Sequence, residues 1–356
     1  MTSQPYGKTT VLVMNTGDYL GLAGHPEITR AMRAALDRFG SAARAAGPRP
    51  PHRRLEERLA RWLGAEAALT FGSGYLACLG ALPALCDSAT VVAADQYSHQ
   101  GVIDGCRLAE GRIRIFSHNS TAKLEYLLER HASAEKRFIA VDGLYAADGE
   151  PAPLAAIAAL ARRHDAMTVV GEAHGLGVLG PGGRGACAGA GIVPDLLTGT
   201  FATALGGTGG FVAGRRDVVG RLHGTAHPSA FGTGLTPVAA AGALAALDLL
   251  QRELWRPLRL RENVARLRTG LRALGFDVTD TPAPVVTVPA GDAATALRLA
   301  RGLRARGVDV VPPRHPAVLA RCARLRLTVT ATLRPRDIDH VLEALHDVAA
   351  ADGLVG

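Results

Sequence analysis

This sequence predicts an α/β fold: a large domain with a mostly parallel sheet flanked by helices, and a smaller α/β domain at the C-terminal end. Three observations predict it. Short apolar, strand-like runs alternate with helical runs, the pattern of right-handed crossovers between parallel strands. The glycine-bearing turns all follow strands, at the edge where such sheets bind ligands. The chain's 356 residues are enough for one large core, or for one large and one small domain. The expected boundaries are an N-terminal segment at 1–36, a large domain at 37–237, and a linking helix with the small domain at 238–356.

Composition narrows the classes. Hydrophobic residues make up 48%, but no apolar run approaches the ~20 residues of a membrane span. The opening Met1–Tyr6 lacks the basic-then-apolar order of a signal peptide. Cys78, Cys86, Cys106, Cys187 and Cys322 are scattered and odd in number, which fits a reduced, cytoplasmic setting and no metal site. The net charge is +8, and of the 40 lysines and arginines only Lys8, Lys123 and Lys136 are lysine. Arg44, Arg49, Arg53, Arg54, Arg58 and Arg61 are a candidate face for an anionic partner, such as a coenzyme A phosphate or an acyl carrier protein. No aromatic residues interleave with them, which argues against nucleic acid.

In chain order, Asn15–Leu22 is a turn-rich segment, and Pro26 opens a helix with Ile28, Met32, Ala35 and Leu36 on one face. A loop over Gly40–Pro51 is stiffened by Pro48, Pro50 and Pro51. The spacing from Leu55 to Leu63 predicts a helix stopped by Gly64. Ala67–Phe71 reads as a strand, and Gly72–Gly74 turns it into a helix opening at Tyr75. A strand, a glycine turn and a helix present backbone N–H groups to an anion. Val91–Asp95, Phe138–Val141 and Met167–Val170 are the next strands, each ending in a turn that carries polar residues. A helix at Val238–Leu250 leads to strands at Pro284–Val288 and Val308–Val311. Asp337 is the expected cap of the last helix.

Several ordered motifs resemble the α-oxoamine synthases, pyridoxal-phosphate acyltransferases that condense an amino acid with an acyl thioester. Asn15–Leu22 with His25-Pro26 resembles N-x-Y-L-G-L…H-P. Ser73-Gly74-Tyr75 sits at the family's phosphate-holding turn, where Cys78 replaces an asparagine. His99 is similar to the histidine that stacks on the pyridine ring, and Asp142 shortens a glutamate. Glu172-Ala173-His174-Gly175 matches E-A-H-G, and Arg326 matches an arginine that binds the amino-acid carboxylate. The resemblance implies a fold-type I, aminotransferase-like architecture and a homodimer with its active site at the subunit interface. Thr198–Gly207 resembles T-G-T-F-S-K-A-L-G-G, with Thr203 in place of the cofactor lysine. Gly171 replaces the aspartate that pairs with the pyridinium nitrogen.

Capture of the cofactor and its electron sink both depend on those two residues. Their joint loss predicts that no bond forms to pyridoxal phosphate and that no cofactor is used. The expected activity is a pyridoxal-phosphate-independent acyltransferase, passing an acyl group from coenzyme A or a carrier protein to an amine or another nucleophile. His99, His174, Glu172, Asp142 and Cys78 are its candidate catalytic residues, one histidine acting as base and Cys78 as a possible acyl acceptor. Ser73, Gly74, Tyr75, Thr200, Thr203 and Arg326 are its candidate substrate ligands. Two alternatives are a non-catalytic subunit supporting an active homologue, and an enzyme that binds pyridoxal phosphate non-covalently.

Overall fold

The computed structural model describes residues 3–6, 9–42, 48–313 and 323–354. Lys8, Arg44 and Cys322 lie outside them. In chain order the strands are β1 (Ser3–Tyr6), β2 (Thr9–Val13), β3 (Ala67–Phe71), β4 (Thr90–Asp95), β5 (Arg112–Phe116), β6 (Lys136–Asp142), β7 (Ala166–Gly171), β8 (Leu196–Thr200), β9 (Gly210–Gly214), β10 (Val285–Gly291), β11 (Val308–Asp309) and β12 (Ala323–Thr328). The helices are α1 (Pro26–Phe39), α2 (Pro50–Leu63), α3 (Gly74–Leu85), α4 (Gln100–Leu108), α5 (Thr121–Arg130), α6 (Leu154–Arg163), α7 (Ala186–Gly189), α8 (Arg216–Thr225), α9 (His227–Ala230), α10 (Pro237–Arg252), α11 (Trp255–Ala273), α12 (Ala293–Ala305) and α13 (Pro335–Ala351).

The chain forms two compact units, the larger comprising residues 25–145 and 151–252. Its seven-stranded sheet has the order β3-β9-β8-β7-β6-β4-β5. Pairing is parallel from β8 through β5, while β9 runs antiparallel to both β3 and β8. Every residue of β4 is buried, as expected of a strand covered on both faces. One side packs Phe71, Leu82, Val92, Val102 and Phe138. The other packs Ile139, Val141, Ile157 and Val170.

The smaller unit comprises residues 1–24, 146–150 and 253–356. It holds a β1-β2-β11 sheet and a separate β10-β12 pair. Buried Asn263 of α11 donates to the carbonyls of Thr330 and Leu333 at 2.9 Å each, tying that helix to the chain after β12.

Four expectations shift. α1 and α10 belong to the larger unit, so the boundaries move from 37 and 238 to 25 and 253. The α2 helix starts at Pro50, because two prolines suit a first turn whose N–H groups have no helical acceptor. On α1, Ile28 and Ala35 are buried but Leu36 is exposed. Asp337 lies inside α13 rather than at its cap, accepting the Arg334 backbone N–H and guanidinium at 2.9 Å.

Candidate functional site

The site residues of the larger unit cluster beyond the carboxyl ends of β3, β4, β6, β7 and β8, because parallel strands deliver all their following turns to one edge. After β3, Ser73 caps α3, its Oγ accepting the Leu76 N–H at 3.1 Å. Gly74 follows, and a Cβ there would stand 2.9 Å from Thr200 Cβ and 3.2 Å from the Gly199 carbonyl. Only a glycine lets the helix start press this closely on the end of β8. Thr200 Oγ1 donates to the Gly209 carbonyl at 3.0 Å and accepts the Ala202 N–H at 3.1 Å. The result is a tightly packed corner at the start of α3, with Tyr75 beside it donating to Asp104 Oδ2 at 2.9 Å.

His99 follows β4 and caps α4, its Nδ1 accepting the Gly101 N–H at 3.0 Å. That bond assigns the neutral ring its proton on Nε2. The packing beneath the ring pushes its pKa below the ordinary imidazole value, with Asp104 opposing, although the residue's outer face is open to solvent. His99 therefore presents a ring face and an N–H donor. Its one acceptor nitrogen is already engaged, so the expected base is not supplied there. Tyr75 meets this ring edge-on, with centroids 6.4 Å apart.

Asp142 ends β6. It is 7% exposed, and its Oδ2 accepts the His99 backbone N–H at 2.8 Å. Burial pushes its carboxyl up to about 7, opposed by the His99 N–H and reinforced by Asp95 and Glu172. Gly171, its register partner, ends β7.

Glu172 and Cys78 are corrected by their surroundings. Glu172 is fully buried, and its two oxygens accept the N–H groups of Ala186 at 3.0 Å and Cys187 at 2.7 Å. A Cβ on Gly175 or Gly185 would meet this carboxylate at 2.0 or 2.6 Å, so the side chain is enclosed and serves to anchor α7. The Cys78 thiol faces Thr198 Oγ1 at 3.6 Å, and burial pushes it up to about 12. That burial disfavours the thiolate an acyl acceptor would need.

His174 is half-buried on the turn after β7. Across that turn, Thr203 Oγ1 donates to the Ala173 carbonyl at 2.6 Å. The hydroxyl is thus committed to the backbone. The two described lysines lie elsewhere, Lys123 on α5 and Lys136 at the start of β6, the end opposite the site.

In the smaller unit, Arg326 of β12 pairs with Val311 through backbone bonds, its own N–H donating at 2.8 Å. Its Nε is buried and has no hydrogen-bond partner among the described residues. Those residues also contain no group of three or more histidines, cysteines, aspartates or glutamates arranged to hold a metal.

The arginine face is mixed in sign. Arg53, Arg61 and Arg216 line a surface hollow together with Glu56, Glu57 and Glu66, and Arg58 pairs with Asp248 at 3.2 Å.

Sequence comparison agrees with this edge-of-sheet arrangement. The model of aminotransferase class I and II matches residues 9–345. The chain belongs to that family. Within it, the chain is 38% identical over 353 residues to 8-amino-7-oxononanoate synthase of Geobacter sulfurreducens, covering 97% of this chain and 90% of the relative. The corresponding enzyme of Chromohalobacter salexigens is 41% identical over 336 residues, covering 92% and 86%. A serine palmitoyltransferase structure with pyridoxal phosphate as an internal aldimine superposes with a TM-score of 0.95 at 30% identity, covering 99% of this chain and 91% of that one. A lysine-to-alanine variant of the S. paucimobilis enzyme, with a bound pyridoxal phosphate–myriocin aldimine, matches equally well at 30% identity, a TM-score of 0.95 and the same coverage. The α-oxoamine synthase resemblance and the fold-type I architecture are thereby shown.

The expectation of a transferase stands; that of one working without pyridoxal phosphate does not. The serine palmitoyltransferase neighbours hold pyridoxal phosphate as an aldimine, and they overturn both the cofactor-free acyl transfer and the absence of a cofactor.

The residues present fit the group in part. The cradle at Ser73–Leu76 against Thr200 fits a phosphate, the open face of His99 fits an aromatic ring, and the buried carboxyl of Asp142 fits a ring nitrogen. Thr203 does not fit, since it brings no amine.

Proposed function

We propose that this protein is a pyridoxal-phosphate-binding transferase of the α-oxoamine synthase kind, acting on an amino acid and an acyl thioester. The observation that carries the reading is the corner where α3 presses on Thr200. The start of α3 offers backbone N–H groups and the positive end of the helix dipole to a dianion, and at Gly74 there is no room for a Cβ against Thr200. When bound there, the cofactor supplies an electron sink for a carbanion at the amino-acid α-carbon.

The chain's own residues supply the setting. Ser73 fixes the helix start by capping it, and Thr200 is held by Gly209 and Ala202 so that its oxygen does not swing away. His99 offers a neutral ring with its Nδ1 locked by Gly101, which leaves the ring face available for stacking. Thr203 contributes no amine, so any carbon–nitrogen bond to the cofactor's aldehyde must use an amine that the substrate brings. The lysine-to-alanine serine palmitoyltransferase variant, which holds such a bond to myriocin, supports that reading. We assign Arg326 to a carboxylate because its buried Nε lacks an acceptor.

Equilibrium dialysis of the purified full chain against pyridoxal 5′-phosphate tests the reading. One equivalent should be retained without borohydride-stable attachment to the protein. The Ser73→Ala/Thr200→Ala pair should bind roughly ten- to hundredfold more weakly, as expected for losing hydrogen bonds that hold a charged group's site. With cofactor present, an amino acid and an acyl-coenzyme A should release free coenzyme A thiol. A chain that retains no pyridoxal phosphate would sink the proposal.

A further inference from the structure

Position 171 carries no carboxylate, yet the space from which one would start is filled. Asp142 and Gly171 are partners in the parallel β6–β7 register, and the next backbone bond, Gly143 N–H to the Gly171 carbonyl, is 2.7 Å. A Cβ built on Gly171 would lie 2.2 Å from Asp142 Oδ1 and 3.3 Å from its Cγ. Two atoms cannot share that space. A side chain at 171 requires Asp142 to leave, and Asp142 holds its present rotamer only because 171 is glycine. The orientation is fixed from the other side, since Oδ2 is taken by the His99 N–H at 2.8 Å and Oδ1 is thereby turned over Gly171.

We propose that Asp142, one strand over from the vacated position, supplies the carboxylate that faces the ring nitrogen of bound pyridoxal phosphate. The inference rests on the cofactor reading above and adds the identity of the ring's partner. A protonated pyridine nitrogen and a carboxylate form a charge-assisted hydrogen bond, strongest where both are shielded from water. Asp142 is shielded, at 7% exposed. The same packing delivers His99 to the adjacent corner, because one carboxylate both turns the backbone of residue 99 and faces position 171. The charged groups bearing on it, Asp95 and Glu172, are both acidic and favour a cationic partner. The substitutions at 142 and 171, which count separately along the chain, thus become a single exchange in space.

The experiment uses the full chain and pyridoxal 5′-phosphate labelled with nitrogen-15 in the ring. In the wild-type protein the label should resonate as a protonated nitrogen. In Asp142→Asn, which keeps the shape, it should move toward the unprotonated value, and dialysis should show binding weakened roughly ten- to hundredfold. Gly171→Asp alone should lower the melting temperature of the cofactor-free protein, because its Cβ collides with Asp142. The double change Asp142→Gly/Gly171→Asp should recover both the melting temperature and the protonated signal. A label whose shift is the same in Asp142→Asn as in the wild type overturns the assignment while leaving the cofactor reading intact. A wild-type chain that holds no label overturns both. Should Asp142→Asn fail to fold, the double variant decides, and a folded double variant without the protonated signal refutes the exchange.

Discussion

At the scale of single residues, Thr203 has the clearest consequence. Its hydroxyl is tied to the Ala173 carbonyl and the residue is 9% exposed, so the position points into the turn that closes the site. Thr203→Lys should therefore create borohydride-stable attachment of pyridoxal phosphate, read as a mass increase on the peptide containing residue 203. The lost hydroxyl bond and the longer side chain should cost about 1–2 kcal/mol of stability. No attachment in a folded variant would show that this turn does not face the cofactor. The absence of an amine at 203 was legible in the sequence, because it depends on a letter. What Asp142 does was not, because residues 142 and 171 meet only through the register of two parallel strands. The engaged Nδ1 of His99 was equally hidden, since it depends on how the chain turns into α4.

At the scale of elements, the strands at 67–71, 91–95, 138–141 and 167–170 read correctly to within one or two residues. Each is a largely apolar run bounded by polar or glycine turns, which leaves little ambiguity. Helix starts were harder to read. The two prolines of α2 looked like loop residues, although they occupy the first turn. Antiparallel β9, inserted between β3 and β8, was not foreseen, because partner choice in a sheet is set by packing at long range. The α7 element is anchored by the side chain of Glu172, whose oxygens take two of its backbone N–H groups. Glu172→Gln should destabilise the protein by roughly 2–4 kcal/mol, seen as a lower denaturation midpoint, since the new amide NH₂ must face an N–H donor inside a closed space. An unchanged midpoint would mean that α7 is held by other contacts.

At the scale of the whole molecule, buried acids give a pH signature. Burial raises Asp142 to about 7 and also raises Glu172. A carboxyl whose folded value lies above its unfolded one contributes stability that is full below about pH 4 and is lost as the pH rises through about 7. Urea denaturation of the cofactor-free protein should show stability falling between pH ~4 and ~7. Asp142→Asn should remove about 2–4 kcal/mol of that fall. A slope that is the same in both proteins would place the titration elsewhere. The family was legible at this scale because its motifs recur in order along nearly the whole chain. The arginine-rich stretch is mixed in sign, since Glu56 and Glu57 lie within it along the chain and Glu66 joins them in space.

The enclosure of Glu172 has a bearing on how such sequences are read. Gly175 and Gly185 must stay bare, because any methyl there would strike the carboxylate, and the acid must stay because α7 hangs from it. Mutual dependence of this kind preserves a signature by architecture alone. A descendant could abandon all chemistry and still keep Glu172 and Gly175, so persistence of those two letters attests an intact scaffold and is silent about turnover.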